Sequence, residues 1–203
     1  MKPTPELLAY FKGREDQIQR YAELLKSAGI ERGLIGPKEG DRIWERHIEN
    51  CLPVTTLLPQ TKATLADIGS GAGLPGIVIA LARPALKVTL IEPLARRVEF
   101  LNEVIAELDL PIEVVRGKAE SVKRSFDYVT ARAVAPLPEL IKVSWHLLKP
   151  GGTLLAIKGE SAAREIEAAS DELRSKKVAK IELHEINLDD LPLARVIEIV
   201  KAG

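Results

Sequence analysis

Leu65-Ala66-Asp67-Ile68-Gly69-Ser70-Gly71-Ala72-Gly73-Leu74-Pro75-Gly76 is the stretch that decides the fold of this chain. It reads as a buried strand that ends in an acid, then a glycine-rich turn, then the start of a helix. Gly69, Gly71 and Gly73 suit positions where φ is positive, or where a Cβ would keep a ligand away from the backbone. Such a turn lets a nucleotide-bearing molecule lie against bare peptide groups.

Outward from this turn, strands and helices alternate. Strands are expected at 64–68, 87–92, 111–116, 127–131 and 152–158, and helices at 75–83, 94–108, 136–148 and 160–174. Repeated β-α units imply a parallel sheet with helices on both faces, a Rossmann-like α/β fold. The segments 178–187 and 194–201 are separated only by a short turn with Asp189, Asp190 and Pro192, so they should form a hairpin. The expectation is a mostly parallel seven-stranded sheet with one antiparallel strand over residues 63–203. Residues 1–62 differ in character and read as an N-terminal helical extension. Leu7, Leu8, Tyr10, Phe11, Ile18, Tyr21, Leu24 and Leu25 mark a first amphipathic run up to Gly29. Ile43, Trp44, His47, Ile48, Cys51 and Leu52 mark a second, ending at Pro53.

Composition narrows the function. The chain has 203 residues, enough for a real core, with 29 Lys+Arg balancing 29 Asp+Glu. It therefore lacks a strongly basic coat, and a nucleic-acid partner would have to use a local patch or the shape of the RNA. The single cysteine, Cys51, excludes an intrachain disulfide and a Cys-rich zinc site. No metal is suggested. No apolar run approaches the roughly 18 residues of a membrane span. A polar N-terminus without a signal peptide makes a cytoplasmic location the expectation.

Gly71-Ala72-Gly73-Leu74-Pro75-Gly76 fits the dinucleotide fingerprint G-x-G-x-x-G, a pattern shared by nicotinamide-linked dehydrogenases. The surroundings favour another cofactor. Asp67 directly before the turn completes D-x-G-x-G-x-G, typical of S-adenosylmethionine (SAM) methyltransferases. Glu92 ends the next strand, at the right interval to accept both hydroxyls of a ribose. Gly117-Lys118-Ala119-Glu120 follows the third strand, where an acid and a backbone N–H can read an adenine. No constellation suits hydride transfer. The residues thus point to a SAM site, with S-adenosylhomocysteine as product, built from Asp67, Gly69, Gly71, Gly73, Glu92 and Glu120.

Asp67 to Gly76 also resembles the D-[IV]-G-[ST]-G-x-G-[LF]-P-G turn of the RsmG (glucose-inhibited division protein B) family. Arg96-Arg97-Val98-Glu99-Phe100-Leu101 is similar to that family's K-R-x-x-F-L helix, Arg132-Ala133-Val134-Ala135 to its S-R-A-x-A segment, Lys158-Gly159 to its K-G, and Arg46-His47-Ile48 to its R-H-[IL]. Ala131 stands where the pattern has Ser, and Asn50-Cys51 where it has Asp-Ser. The likeness spans about residues 20–200. It implies methylation of nitrogen 7 of a guanine in 16S ribosomal RNA, with Gly69, Leu74, Ala119, Glu120 and Arg132 as cofactor contacts.

Guanine N7 carries a lone pair and no proton, so the reaction needs no general base, and the absence of an acid–base dyad is no objection. Arg132 is the leading candidate for a catalytic side chain. Its fork can bind the cofactor carboxylate, guanine O6 or a phosphate. Lys158 is a candidate for RNA phosphate. Arg46 and His47 are candidates for the RNA surface, with a packing role for His47 as the alternative. The basic run Arg174, Lys176, Lys177 and Lys180 suits either RNA or a solvated helix end. The expected partner is 16S ribosomal RNA or the small subunit, met by a monomer without a membrane. Another RNA, a protein or a small molecule is the competing methyl acceptor.

Overall fold

The computed structural model describes residues 3–188 and 191–203. Its sheet contains β1 (Ala63–Ile68), β2 (Leu86–Glu92), β3 (Glu113–Arg116), β4 (Phe126–Arg132), β5 (Leu148–Lys158), β6 (Val178–Ile186) and β7 (Ala194–Lys201). The seven strands lie in the order β3-β2-β1-β4-β5-β7-β6. Only β7 runs against its neighbours, β5 and β6. This is the mostly parallel sheet expected from the β-α alternation. Asp189 and Asp190 of the expected hairpin turn lie outside the described residues.

Central strands are apolar on both faces because both faces are covered. Successive residues of β1 feed two separate cores, as a period of two requires. Leu65 packs with α3 (Gly76–Ala82) and α4 (Ala95–Glu107), whose buried stripe is Phe100, Leu101 and Val104. Ala66 and Ile68 pack on the other side with α5 (Leu137–Ser144) and α6 (Ala162–Ala168). A last short helix, α7 (Ser170–Ser175), precedes β6.

Several boundaries differ from the sequence expectation, each for a local reason. The expected helix 136–148 gives way to a 3₁₀ turn over Trp145–Leu147, and the expected helix 160–174 breaks at Ala169. β3 starts two residues late. Pro111 has no N–H to offer, and the N–H of Ile112 turns back to the Leu110 carbonyl at 2.8 Å. β5 starts early, because Leu148 already pairs with Phe126 ahead of an irregular stretch.

The N-terminal segment contains α1 (Pro5–Leu8) and α2 (Glu15–Leu24), followed by short 3₁₀ and π turns from Leu25 to Leu57 in place of a regular second helix. Leu7, Phe11, Ile18, Leu25, Ile48 and Leu52 join the same apolar cluster as Leu65, Ile77, Leu90 and Phe100. The segment is therefore packed into one core of the α/β sheet. No helix among the described residues is long and apolar enough to cross a membrane.

Candidate functional site

The sheet order changes direction at β1, with β2 on one side and β4 on the other. An open α/β sheet binds ligands at the carboxyl ends of the strands beside such a switch. The glycine turn leaves β1 at this place. Gly69, Gly71 and Gly73 all have positive φ, at +63°, +59° and +97°. Cβ atoms at Gly73 and Gly76 would fall 2.4 Å from Ile77 Cδ1 and 2.3 Å from Leu90 Cδ2, so these glycines let the helix start pack on the sheet. Gly71 differs. Its nearest neighbour would be the Gly69 carbonyl at 3.8 Å, so its bare backbone faces open space. A cofactor can use that face.

Two carboxylates hold the turn from behind. The Gly71 N–H donates to Glu92 Oε2 (2.9 Å), and the Leu94 N–H donates to Oε1 (3.0 Å). Arg97 lies 3.6 Å from the same carboxylate. Glu92 has no exposed surface. This acid shapes the cradle by tying together the loops after β1 and β2. Asp67 is also fully buried; its Oδ2 accepts from the Gly76 N–H at 3.0 Å. Its Oδ1 has no partner. Burial pushes the Asp67 carboxyl up to about 7, against the opposing pull of the Gly76 N–H, the Ser70 hydroxyl and the Arg132 charge. The arm contributes a third brace. The buried Tyr21 hydroxyl donates to the Ala72 carbonyl at 2.7 Å.

Across the crevice, Ala119 is buried and Glu120 exposed in a 3₁₀ turn that follows β3. The Gly117 N–H donates to the Glu92 carbonyl, which fixes this loop against the glycine turn. Among the described residues, Leu94, Val134 and Leu193 are three of the four large apolar side chains that are exposed, and all three lie in loops flanking the sheet strands. Exposed apolar surface beside a peptide-lined turn suits the flat faces of bases.

A cleft of about 1080 Å³ opens next to the turn, lined by Arg46, His47, Asn50, Arg132, Val134 and Lys158 among others. Arg132 ends β4, one residue beyond the Ala131 that pairs with Ile68, and so sits level with Gly69. Its Nη1 donates to the His47 carbonyl (3.4 Å) and its Nη2 to His47 Nδ1 (3.3 Å). Lys158 is largely enclosed. Its ammonium donates to the Ala135 carbonyl and pairs with Glu165, both at 2.7 Å. Glu165 also accepts from the Leu137 N–H. The lysine expected at RNA phosphate thus anchors the loop that comes after Arg132. Arg46 is exposed on the rim. Cys51 and Trp44 are core residues, and burial lifts the Cys51 thiol to about 11, leaving it unreactive. In the basic run, Lys180 pairs with Glu182 and Glu198 and Arg174 with Asp171, which neutralises half of the patch. Sequence reading missed Tyr21 and Glu39 as parts of this neighbourhood, since neither belongs to a local motif.

Comparison with solved structures agrees with the architecture. A SAM-dependent O-methyltransferase from Thermotoga maritima matches with a TM-score of 0.61 at 18% identity, over 76% of this chain and 65% of that one. The fold is that of a class I SAM-dependent methyltransferase. Sequence comparison is more particular. Residues 14–193 match the family model for rRNA small subunit methyltransferase G. Ribosomal RNA small subunit methyltransferase G of Acidothermus cellulolyticus is 56% identical over 153 residues, 75% of this chain and 68% of that one. Its counterpart from Kineococcus radiotolerans is 46% identical over 204 residues, 98% of this chain and 80% of that one. The chain belongs to the rRNA small subunit methyltransferase G family and is a SAM-dependent enzyme.

Proposed function

We propose that this protein methylates nitrogen 7 of a guanine in 16S ribosomal RNA, working in the cytoplasm as a monomer. The observation that carries the reading is the placement of Arg132. It stands where the glycine turn meets a cleft large enough for a base and its flanking backbone. Family membership supports the choice of substrate.

The residues present fit the cofactor. Gly71 leaves a peptide face open, and the buried Asp67 beneath the turn, poised near 7, can ionise in response to a cationic ligand. In this reading Gly69, Gly71, Gly73 and Leu74 hold SAM by main-chain groups, while Ala119 and Glu120 read the adenine edge. Glu92 keeps the turn in shape. When bound, SAM supplies an electrophilic methyl group on a sulfonium. The chain's own task is orientation, because N7 needs no base to expose its lone pair. Good alignment of this kind supplies on the order of 7–11 kcal/mol of barrier lowering. Val134 and Leu193 give a purine apolar surface. Arg132 presents a fork to a carboxylate or to guanine O6. Arg46 faces RNA phosphate, and Lys158 fixes the loop between Arg132 and α5.

The test is tritiated methyl transfer from SAM to unmodified small subunits and to naked 16S RNA, with the labelled base identified by mass spectrometry. Label in N7-methylguanine is the expected result. Label only in another base or in protein would overturn the proposal.

A further inference from the structure

The Arg132 fork is held by one residue of the N-terminal arm. His47 accepts from Nη2 through Nδ1 and from Nη1 through its own carbonyl. A guanidinium can only donate, so Nδ1 must carry a free lone pair. The proton of the neutral ring then sits on Nε2, which is buried and 3.3 Å from Glu39 Oε2, off the line of a hydrogen bond. Glu39 is fixed in turn, since its Oε2 accepts from the Gly36 N–H at 3.3 Å. Two residues of the N-terminal arm, Glu39 and His47, thus stand in a row with the distant Arg132 along one wall of the cleft.

We propose that His47 is a positioning residue, braced by Glu39, which aims the Arg132 guanidinium into the cleft only while its imidazole is neutral. Protonation removes the acceptor at Nδ1 and sets a second positive charge 3.3 Å from Nη2. The charged groups facing the ring are Arg132, Glu39 and Arg46. Burial first, and then Arg132, hold the ring below its ordinary 6.5, so it is neutral at pH 7, while Glu39 pulls the other way. Methyl transfer is therefore retained above the His47 titration and lost as pH falls through it. Nearby Asp67, at about 7, is a second titrating group, and variants must separate the two.

The inference rests on Arg132 serving the site. Steady-state methyl transfer from SAM to the RNA substrate is measured from pH 5 to 9 for wild type, Arg132→Ala, His47→Ala, His47→Gln and Glu39→Gln. His47→Ala should lose on the order of 10–100-fold in kcat/KM at pH 8, the scale of a misplaced positioning group. His47→Gln, whose amide oxygen can accept from Arg132 without ionising, should recover part of that loss and lack the His47 acid limb. Glu39→Gln should move the limb to lower pH, because the carboxylate that favours imidazolium is gone. Imidazole nitrogen shifts in NMR spectra should show His47 protonated on Nε2 at pH 8. Wild-type turnover in His47→Ala, or an Nδ1–H tautomer, overturns the proposal. If His47→Ala does not fold, an acid limb unmoved in both His47→Gln and Glu39→Gln overturns it equally. An active Arg132→Ala would instead remove the reading of Arg132 on which the proposal rests.

Discussion

A carboxyl group with no exposed surface and one oxygen lacking a partner is costly to ionise, and Asp67 is such a group. Its folded value near 7 lies above the unfolded value of 3.8, so the folded state retains a proton through that interval. The site's contribution to stability is full below about pH 4 and is lost as pH rises through 7, by on the order of 2–4 kcal/mol. Denaturant unfolding of Asp67→Asn and wild type at pH 4.5 and pH 8 should show this decline in wild type and a flatter difference in the variant. A cofactor that brings positive charge to the turn favours the carboxylate. SAM binding near pH 6.5 should accordingly release protons, seen as a binding enthalpy that changes with the ionisation heat of the buffer. Gly76 faces the same carboxylate. Gly76→Ala places a methyl group 2.7 Å from Asp67 Oδ2 and 2.3 Å from Leu90 Cδ2. We expect a loss of about 1–3 kcal/mol in unfolding free energy from this overpacking.

Among the elements, the loops at the cleft are set by distant partners. Tyr21 on α2 closes the Ala72 carbonyl, and Lys158 at the end of β5 closes that of Ala135. Tyr21→Phe should cost about 1–2 kcal/mol of stability by leaving a buried carbonyl unpaired, and it should weaken SAM affinity measured by calorimetry. These braces also mark where sequence reading stopped. Asp67 to Gly76 announces itself because strand, turn and helix are local events written in adjacent residues. The alternation of β and α units is legible for the same reason. Nothing beside Tyr21 announces a bond to a residue 51 positions away. Glu92 looks like a ligand acid at a strand end, and only the folded neighbourhood shows it turned toward Gly71 and Leu94. The arm escapes for another reason. Its apolar spacing predicts regular helix, whereas packing against α3 and α4 divides it into short turns of different pitch.

For the molecule as a whole, the arm and the sheet share one apolar core. Phe11, Ile18, Leu25, Ile48 and Leu52 are completely buried in the cluster that covers α3 and α4. Deleting residues 1–58 would uncover that face. The truncated chain should be insoluble or show no cooperative melting transition in calorimetry, and a soluble fragment with a sharp transition would show the sheet to be self-sufficient. The balance of 29 cationic and 29 anionic side chains has its own effect at this scale. It predicts RNA affinity that falls gently with added salt, with a slope matching a few phosphate contacts in a titration from 50 to 200 mM. The reversed strand also fixes the order of assembly. β7 lies between β5 and β6, although β6 is synthesised first. β6 pairs with β7 alone, so it has no ladder partner until Ala194–Lys201 is in place. Leu193, Ala194 and Arg195 belong to the cleft wall, so the site is whole only once β7 is seated between its two neighbours.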